Sequence, residues 1–457
     1  MPHHIYLIIG AGPTGLGAAR RLAELGENSF AVLEANPYAG GLAASFKDSR
    51  GFTWDVGGHV VFSHYAYFDA LLKDVLGGEY LEHQREAGVR IAGAWVPYPF
   101  QNNIRYLPRE LMWECVKALL PGHGRTPDDF TPSDFREWIT HIFGEGIARL
   151  FMLPYNFKVW ATPPELMSYK WIGERVSVVS LERVLKNILL QQDDVSWGPN
   201  NMFKFPLTGG TGEIFRRMAA RLGDRVLYGR SVTAVDPVAK AVTCSTGERF
   251  TYDHLLFTGH LDTLARRLLT QAPDAVRDAS ALLAHNGAYI GGVGVEGARD
   301  DSKCWMYFPE ANCPFYRVTN FHNYSPNNTP DPEGMRVRKR AFMTEVSFSG
   351  HKPDLGAAHL DTVVQGLVNA SLMTGEDRKD VVSTWEMKID YAYPIPTLER
   401  DRGLRTIQPW LEEHAIYGRG RFGGWKYEAS NMDHSVMQGV EWAQRMLTGT
   451  SETTYTL

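Results

Sequence analysis

Cysteine and long hydrophobic segments are both scarce in this chain of 457 residues. Its four cysteines form no CxxC pair and have no histidine pair beside them, which excludes a zinc site and a disulfide framework. The opening residues lead directly into the short apolar run 5–9, without the basic region of a signal peptide. We therefore expect reduced thiols, a cytoplasmic location, no bound metal and no membrane insertion.

An excess of basic charge is also absent. Lys and Arg number 47 against 52 Asp and Glu, which gives a net charge of -5 and a pI near 6.3. Such a chain has no basic field for binding nucleic acid, so an anionic small substrate would need locally placed arginines. The hydrophobic fraction of 44% and the charged fraction of 22% exclude a disordered or coiled-coil chain.

The first 34 residues follow the strand–turn–helix–strand order of a dinucleotide-binding unit. Gly10 permits a tight turn, Gly12 lets the backbone approach a pyrophosphate, and Gly15 lets the following helix pack closely on the strand. Glu34 ends the second strand and can accept a hydrogen bond from a ribose hydroxyl. The unit is typical of both FAD- and NAD-binding proteins, and its expected contact residues are Gly10, Gly12, Pro13, Thr14, Gly15 and Glu34.

Two further glycine pairs, at 40–41 and 57–58, favour FAD over NAD. Paired glycines allow the backbone to lie against a flat or phosphorylated ligand where a Cβ atom would clash. Together with the first turn they are typical of the FAD-binding half of glutathione-reductase-type flavoproteins. The sequence therefore predicts an α/β fold, in which a Rossmann-like FAD-binding domain of this type carries a helical insert and an antiparallel β-sheet insert.

Beyond the dinucleotide unit the pattern changes twice along the chain. Residues 107–192 have helical periodicity, whereas residues 285–350 alternate and carry turn residues, as in an antiparallel sheet. We predict three units: a discontinuous FAD-binding domain of residues 1–84, 197–280 and 381–457, a helical domain of residues 104–196, and an antiparallel-sheet substrate domain of residues 85–103 and 281–380.

Ordered motifs along nearly the whole chain resemble the UDP-galactopyranose mutases, specifically the eukaryotic type. The resemblance is specific because the motifs are numerous and keep their order. They are DVGGHVVFSH at 55–64, WVPYPFQNN at 95–103, PYNFKVW at 154–160, GERV at 173–176, WGPN at 197–200, CWMYFPE at 304–310, CPFYR at 313–317, YPIPTLER at 393–400 and GRFGGWKYE at 420–428.

The resemblance implies a flavin-dependent isomerase that interconverts UDP-galactopyranose and UDP-galactofuranose. In that family, N5 of reduced FAD attacks the anomeric carbon as UDP leaves, which gives a covalent flavin–sugar adduct. The sugar ring opens and closes through another hydroxyl before UDP returns. The resemblance also implies that NADPH binds transiently in the substrate site to reduce the flavin.

Individual residues acquire roles from the same resemblance. In the family one histidine borders the flavin and two arginines grip the diphosphate, which implies catalytic roles for His59, Arg175 and Arg317. The implied FAD contacts add Gly41, Leu42, Gly57, Gly58, His59, Val232, Arg421, Ser430, Asn431, Met432 and Ser435, although Ser430 and Met432 stand where the family has Gly and Gln. The implied substrate contacts are Phe62, His64, Arg85, Tyr98, Gln101, Asn156, Trp160, Arg175, Asn200, Trp305, Tyr307, Arg317, Tyr324, Tyr393 and Tyr427, with Arg85 also implied for NADPH.

Other functions stay open at this point. A deoxy-sugar or arabinose, or dTDP in place of UDP, would need only a few changes in the pocket. A flavin amine oxidase shares the cofactor domain but has no need of paired diphosphate arginines, and a binding protein like the GDP-dissociation inhibitors would lack flavin. The expected partner is a nucleotide sugar, and the expected state is a monomer or small homo-oligomer.

Overall fold

The computed structural model describes residues 1–122, 130–195, 198–297, 301–330 and 339–457, so the predicted boundary at Trp197 lies outside the described residues. Within them, two seven-stranded sheets and two short ribbons hold the strands. The strands are β1 (His3–Ile9), β2 (Phe30–Glu34), β3 (Ser45–Lys47), β4 (Thr53–Asp55), β5 (Tyr80–Gln84), β6 (Ala87–Ile91), β7 (Ala94–Pro97), β8 (Met202–Pro206), β9 (Val226–Tyr228), β10 (Val232–Asp236), β11 (Ala241–Cys244), β12 (Arg249–Phe257), β13 (His285–Glu296), β14 (Trp305–Tyr307), β15 (Arg317–Asn320), β16 (Lys339–Phe348), β17 (Val381–Pro394) and β18 (Ile416–Gly418).

Helices alternate with these strands, and several follow one another between β7 and β8. That helical segment overlaps the predicted helical domain of residues 104–196. The helices are α1 (Pro13–Glu24), α2 (Ala66–Leu76), α3 (Arg109–Leu119), α4 (Phe135–Ile147), α5 (Leu153–Trp160), α6 (Leu181–Leu190), α7 (Gly212–Leu222), α8 (Leu261–Thr263), α9 (Asp274–Ala279), α10 (Phe321–Tyr324), α11 (His359–Asn369), α12 (Arg400–Glu413), α13 (Gly420–Gly423) and α14 (Met432–Thr448).

The first sheet has the strand order β10-β11-β12-β1-β2-β9, and β18 pairs with β12. β1 runs parallel to both of its neighbours, β12 and β2, and these central strands are almost entirely buried. The helix between them, α1, begins at Pro13, whose fixed φ angle suits the first turn of a helix. α1 packs against α14, so the first and last parts of the chain share one hydrophobic core.

The second sheet has the order β17-β13-β16-β15-β14-β6-β7. β17, which lies in the range assigned to the FAD-binding domain, pairs with β13 here. A Cβ atom added to Gly292 on β13 would lie 2.6 Å from the ring of Trp54, so glycine is what allows β4 to pack closely on β13. This contact sets the 57–58 glycine turn, which follows β4, against the second sheet.

The predicted fold class is confirmed, because a Rossmann-like parallel unit carries both a helical and a sheet insert. The second sheet differs in one detail from the antiparallel sheet that the alternating pattern predicted. Its strands β14 and β6 run parallel, since they come from two distant parts of the chain and no hairpin joins them. Among the described residues, no helix combines the length and apolar character needed to cross a membrane.

Candidate active site

Two adjoining cavities, of about 620 and 280 Å³, meet near the start of α14. The first cavity follows the β1–α1 turn and the end of β2, where the carboxyl ends of parallel strands of an α/β sheet bind ligands. The second is lined by residues of the second sheet, of the 56–62 loop after β4 and of the start of α14, among others. The residues that line both cavities, and therefore form their junction, are Leu42, Val56, His59, Ile389, Arg421 and Met432.

The β1–α1 turn uses each of its glycines differently. Gly10 has a φ of 102°, and a Cβ atom there would collide with the hydroxyl of Thr258. A Cβ atom on Gly15 would collide with the carbonyl oxygen of Gly10, so this glycine allows α1 to approach β1. At Gly12 the nearest atom to an added Cβ is the Cα of Gly41, 4.0 Å away, so a side chain would only fill the cavity. A phosphate group fits such a turn.

Glu34 lies at the end of β2, is 5% exposed and stabilises this turn. Its Oε2 accepts a hydrogen bond from the backbone N–H of Ala11 at 2.7 Å. Its Oε1 accepts two from Asn36, one from the backbone and one from the side chain, both at 2.8 Å. Glu34 therefore stabilises the turn and also lines the first cavity, where it can accept from a ribose hydroxyl.

The start of α14 forms the other end of the first cavity. Asn431, the N-cap residue, makes no side-chain hydrogen bond to the helix within the described residues, so backbone N–H groups of the first turn are left for a ligand. Nη2 of Arg421 donates to the carbonyl oxygen of Ser430 at 3.1 Å and fixes the preceding turn. The predicted FAD contacts that line the first cavity are Gly10, Gly12, Pro13, Thr14, Glu34, Gly41, Leu42, His59, Val232, Arg421, Ser430, Met432 and Ser435.

Four predicted FAD contacts lie elsewhere. Gly57, Gly58 and Asn431 line the second cavity, and Gly15 packs between α1 and β1.

His59 is a half-buried imidazole at the junction of the two cavities. Burial lowers the pKa of His59 to about 3, helped by the positive charges of Arg421 and Arg317 and opposed by Glu345. Its Nδ1 atom is buried and has no hydrogen-bond partner among the described residues. A neutral imidazole with an unsatisfied polar atom fits a site that a polar ring system completes.

The second cavity brings together both arginines that the motifs pointed to. Nη2 of Arg175 lies 3.4 Å from the carbonyl oxygen of Tyr427, and the guanidinium sits 5.3 Å from the centre of that ring. Burial raises the pKa of Tyr98, Tyr307 and Tyr393, so these hydroxyls stay protonated. The predicted substrate contacts in this cavity are Phe62, Tyr98, Arg175, Asn200, Tyr307, Arg317, Tyr393 and Tyr427.

Glu345 on β16 also lines this cavity and pairs there with Arg317. Nε of Arg317 lies 2.6 Å from Oε1 and Nη2 lies 2.9 Å from Oε2. The backbone N–H of Gly58 donates to Oε1 at 3.0 Å, and the hydroxyl of Tyr316 donates to Oε2 at 2.5 Å. Burial raises the pKa of Glu345, but Arg317 and the other donors outweigh it and hold the pKa below its ordinary value.

Glu345 and Tyr316 were missed by the sequence reasoning. One signal was available for Glu345, because it is an acid inside the otherwise uncharged run AFMTEVSF of β16, most of which is buried. A buried acid of this kind needs a cationic partner.

Seven predicted substrate contacts do not line the second cavity. Nη1 of Arg85 donates to Oδ1 of Asn200 at 2.6 Å and its guanidinium lies 5.0 Å from the ring centre of Tyr98, so it stands behind two lining residues. Nε1 of Trp305 donates to the hydroxyl of Tyr307 at 2.6 Å. The residues outside the lining are His64, Arg85, Gln101, Asn156, Trp160, Trp305 and Tyr324.

The remaining five pack in the protein interior or at its edge. Gln101 and Asn156 donate to the backbone carbonyls of Ser177 and Met152. The side chains of Trp160 and Tyr324 lie in aromatic clusters, with Trp160 4.7 Å from Tyr427 between ring centres. At these positions the motifs predicted residues that lie outside the lining of the cavity, as Trp160 does behind Tyr427.

His64 belongs to the one group of possible metal ligands found among the described residues. Its Nδ1 lies 2.7 Å from Oδ2 of Asp433, and Nδ1 of His434 lies 3.1 Å from Oδ1. Asp433 also accepts from the backbone N–H of His64 at 3.1 Å. The carboxylate sits in the first turn of α14, where the helix dipole favours an anion, so these bonds tie the 60–64 loop to the helix.

The comparisons with known proteins define the class first. The family model described as flavin containing amine oxidoreductase matches residues 13–447, so the chain belongs to that family. A crystal structure of reduced UDP-galactopyranose mutase has a TM-score of 0.94 and 43% identity, covering 100% of this chain and 96% of that one. The chain belongs to the UDP-galactopyranose mutase family, a family of isomerases, and its predicted class as an FAD flavoprotein is confirmed.

More distant relatives share the fold. Cyclohexylamine oxidase from Brevibacterium oxydans IH-35A has a TM-score of 0.68 at 15% identity, covering 97% of this chain and 99% of that one. Flavin-containing amine oxidase A of Canis lupus familiaris is 27% identical over 244 residues, 50% of this chain and 44% of that protein. The Bos taurus enzyme is 24% identical over 321 residues, 67% and 56% respectively, so the chain spans about half the length of these curated relatives.

Proposed function

We propose that the protein interconverts UDP-galactopyranose and UDP-galactofuranose and that it requires reduced FAD. FAD would lie in the first cavity, with its diphosphate at the Gly10–Gly12 turn, a ribose at Glu34 and its ring system at the junction. The size of the cavity, the open face of Gly12 and the unsatisfied Nδ1 of His59 support this assignment.

The observation that carries the proposal is the placement of Arg175 and Arg317 in one cavity that adjoins a dinucleotide cavity. Two guanidiniums can hold a diphosphate through charge-assisted hydrogen bonds, and the tyrosine hydroxyls that line the cavity add neutral donors. An amine oxidase acts on a cationic or neutral amine, for which paired arginines would be unfavourable. A nucleoside diphosphate sugar therefore fits this cavity better than an amine.

The chemistry that reduced FAD would supply at the junction is a nucleophile, its N5, for the anomeric carbon of the sugar. The chain's own residues would retain the leaving group and exclude water while the sugar rearranges. Arg175 and Arg317 would hold UDP close enough to return, which makes the exchange of ring forms intramolecular. His59, being neutral, would orient the flavin without adding a charge beside it.

Three further parts of the proposal depend on the resemblance of the motifs to the eukaryotic UDP-galactopyranose mutases. NADPH would reduce the flavin from the substrate site, with Arg85 contributing through Asn200 and Tyr98. The protein would act in the cytoplasm as a monomer or small homo-oligomer. The chain would divide into the discontinuous FAD-binding, helical and sheet domains given above.

The test is to incubate the purified protein, reduced with dithionite or NADPH, with UDP-galactopyranose and to separate furanose from pyranose by chromatography. We expect a yellow protein that forms UDP-galactofuranose only when it is reduced. Parallel incubations with UDP-arabinopyranose and dTDP-linked deoxy-sugars identify the substrate. Equal turnover by the oxidised protein, or oxygen consumption with amines and no furanose, would contradict the proposal.

A further inference from the structure

A buried lysine, Lys158, links three elements that surround the second cavity. The residue is 8% exposed and lies on α5. Nζ donates to the backbone carbonyls of Glu310 and Cys313, both at 2.9 Å, and lies 3.7 Å from Sγ of Cys313. Within the described residues no carboxylate forms an ion pair with it. Removing an ammonium ion from water without a counter-charge is costly, so the carbonyls must hold it firmly.

The two carbonyls belong to the connection between β14 and β15. This connection joins Tyr307, the last residue of β14, to Arg317, the first residue of β15, and both residues line the second cavity. Lys158 itself is two residues before Trp160, whose ring packs on Tyr427, another lining residue. The ammonium therefore fixes one wall of the cavity at a set distance from another.

The backbone of Lys158 makes the third link. Its carbonyl oxygen accepts a hydrogen bond from the hydroxyl of Ser347 and another from Nζ of Lys352 at 3.3 Å. Ser347 is two residues after Glu345 on β16, so the two side chains share a face of the strand. Glu345 orients Arg317, and thus both strands that determine the position of this guanidinium are tied to Lys158.

We infer that Lys158 is a positioning residue of the substrate site: it holds the β14–β15 connection and β16 against α5, and so places Arg317 for the diphosphate. This inference rests on the proposed function. Loss of the ammonium would release the carbonyls of Glu310 and Cys313, and Arg317 would move with the connection. Misplacement of a binding group by about 1 Å can cost about 10²-fold in rate.

The test compares Lys158→Met, which keeps the length of the side chain and removes its donors, with Lys352→Met as a matched control. Lys352 also bonds to the carbonyl of Lys158, but it contacts the hydroxyl of Ser347 and no carbonyl of the β14–β15 connection. UDP affinity is measured by tryptophan fluorescence, and kcat/KM per bound flavin by the furanose assay. FAD content and thermal unfolding are recorded for each variant.

For Lys158→Met we expect UDP to bind about tenfold more weakly and kcat/KM to fall about 10- to 100-fold, with wild-type FAD content. Lys352→Met should keep wild-type UDP affinity. In Lys158→Ala, propylammonium should partly restore UDP affinity by occupying the site of the lost ammonium. A purely structural lysine would instead lower the unfolding temperature and leave UDP affinity per folded molecule unchanged.

Wild-type UDP affinity in Lys158→Met would overturn the inference while leaving the proposed function intact. If that variant does not fold, Lys158→Gln replaces it, with the same expected direction and the same contradicting result. Failure of the wild-type protein itself to bind UDP would overturn the proposed function, and this inference with it.

Discussion

Glu345 holds Arg317 by two charge-assisted hydrogen bonds, with Nε 2.6 Å from Oε1 and Nη2 2.9 Å from Oε2. The same Oε1 accepts the backbone N–H of Gly58 at 3.0 Å. One buried carboxylate thus joins an arginine of the second cavity to the turn that precedes His59. A shift of Arg317 would therefore also displace the glycine turn at the junction of the two cavities, because Glu345 is bonded to both.

Glu345→Gln should therefore affect both stability and turnover. It leaves the guanidinium of Arg317 without its counter-charge, which for a buried pair costs about 3–5 kcal/mol of unfolding free energy. Turnover per bound flavin should fall about 10²-fold, because Arg317 and the glycine turn both lose their anchor. Urea unfolding and the furanose assay measure the two effects.

Tyr316→Phe is the control, since it removes one donor to Glu345 and leaves the ion pair in place. It should cost about 1.5–3 kcal/mol and little turnover. Equal turnover in Glu345→Gln and the wild type would mean that the ion pair is only structural.

Replacing Arg175 and replacing Arg317 should have different effects on the stability of the fold. Arg175→Ala and Arg317→Ala should each weaken UDP binding about tenfold or more, because a charge-assisted hydrogen bond contributes about 1.5–3 kcal/mol. Arg317→Ala should also lower the unfolding temperature, since Glu345 is left buried and unpaired. Among the described residues the side chain of Arg175 forms no ion pair, and its hydrogen bond and cation–π contact are both with Tyr427, so Arg175→Ala should unfold like the wild type.

Fluorescence titration with UDP and thermal unfolding test this pair, with the exposed Arg183→Ala as the control for loss of a positive charge. Unchanged UDP affinity in both cavity variants would remove these arginines from the site. The flavin spectrum should be unaltered in all three.

The dinucleotide unit was predictable because its signals are local. The turn glycines, Pro13 and the two apolar runs specify β1, α1 and β2 within one stretch of chain, and the structure has them at His3–Ile9, Pro13–Glu24 and Phe30–Glu34. Gly15 has the packing role that its spacing predicted.

The contacts within the site were not predictable from the sequence, because they join residues that are far apart along the chain. Glu345 is 28 residues from Arg317 and 287 from Gly58, and no periodicity connects them. For the same reason a motif does not show which of its residues lines the cavity and which packs behind it. Trp305 and Tyr307 were both predicted as substrate contacts, but only Tyr307, which accepts the N–H of Trp305, lines the second cavity.

Gly12 offers a test of the cofactor cavity without damage to the fold. Its φ of -80° is open to any residue, and an added Cβ has no close neighbour, so Gly12→Leu should fold and block the cavity. The purified variant should be colourless, with FAD content below about a tenth of the wild type, because its side chain occupies the space of the pyrophosphate. The FAD content is measured from the absorbance of the oxidised flavin band, near 450 nm.

Gly15→Ala is the contrasting variant, because its Cβ would collide with the backbone of Gly10. It should lose stability as well as flavin. Full FAD content in Gly12→Leu would show that the first cavity is not where FAD binds.

Asp55, two residues before Gly57, should make stability depend on pH. Burial raises its pKa from 3.8 to about 7, although the hydrogen bonds from Ser45 and Thr211 offset part of the rise. Between these values the folded state keeps a proton that the unfolded chain releases. The contribution of Asp55 is therefore complete below pH 3.8 and is lost as the pH rises through about 7.

Asp55→Asn cannot titrate, so its unfolding free energy relative to the wild type should rise with pH, by at most about 1.4 kcal/mol per unit. Urea unfolding of both proteins at several pH values between 4 and 8 measures the difference. A difference that stays constant over this range would mean that Asp55 is ionised throughout.

His59→Ala should retain FAD and lose most turnover. Because the pKa of His59 is about 3, the imidazole is neutral over the working pH range and cannot act as a cationic acid. Its contribution would be to hydrogen-bond and orient the flavin at the junction, and the loss of such positioning can cost about 10²-fold in rate. The pH profile of turnover should therefore have the same inflections in the wild type and in His59→Ala.

His322→Ala provides the matched control, since burial also lowers the pKa of His322 to about 4, yet His322 bonds to the backbone of Ala341 and lines neither cavity. Both variants lose a half-buried neutral imidazole and should lose comparable stability. Only His59→Ala should lose turnover per bound flavin. Near wild-type turnover in His59→Ala would make this histidine a core residue, because the backbone of the glycine turn, which the substitution preserves, would then be sufficient for the reaction.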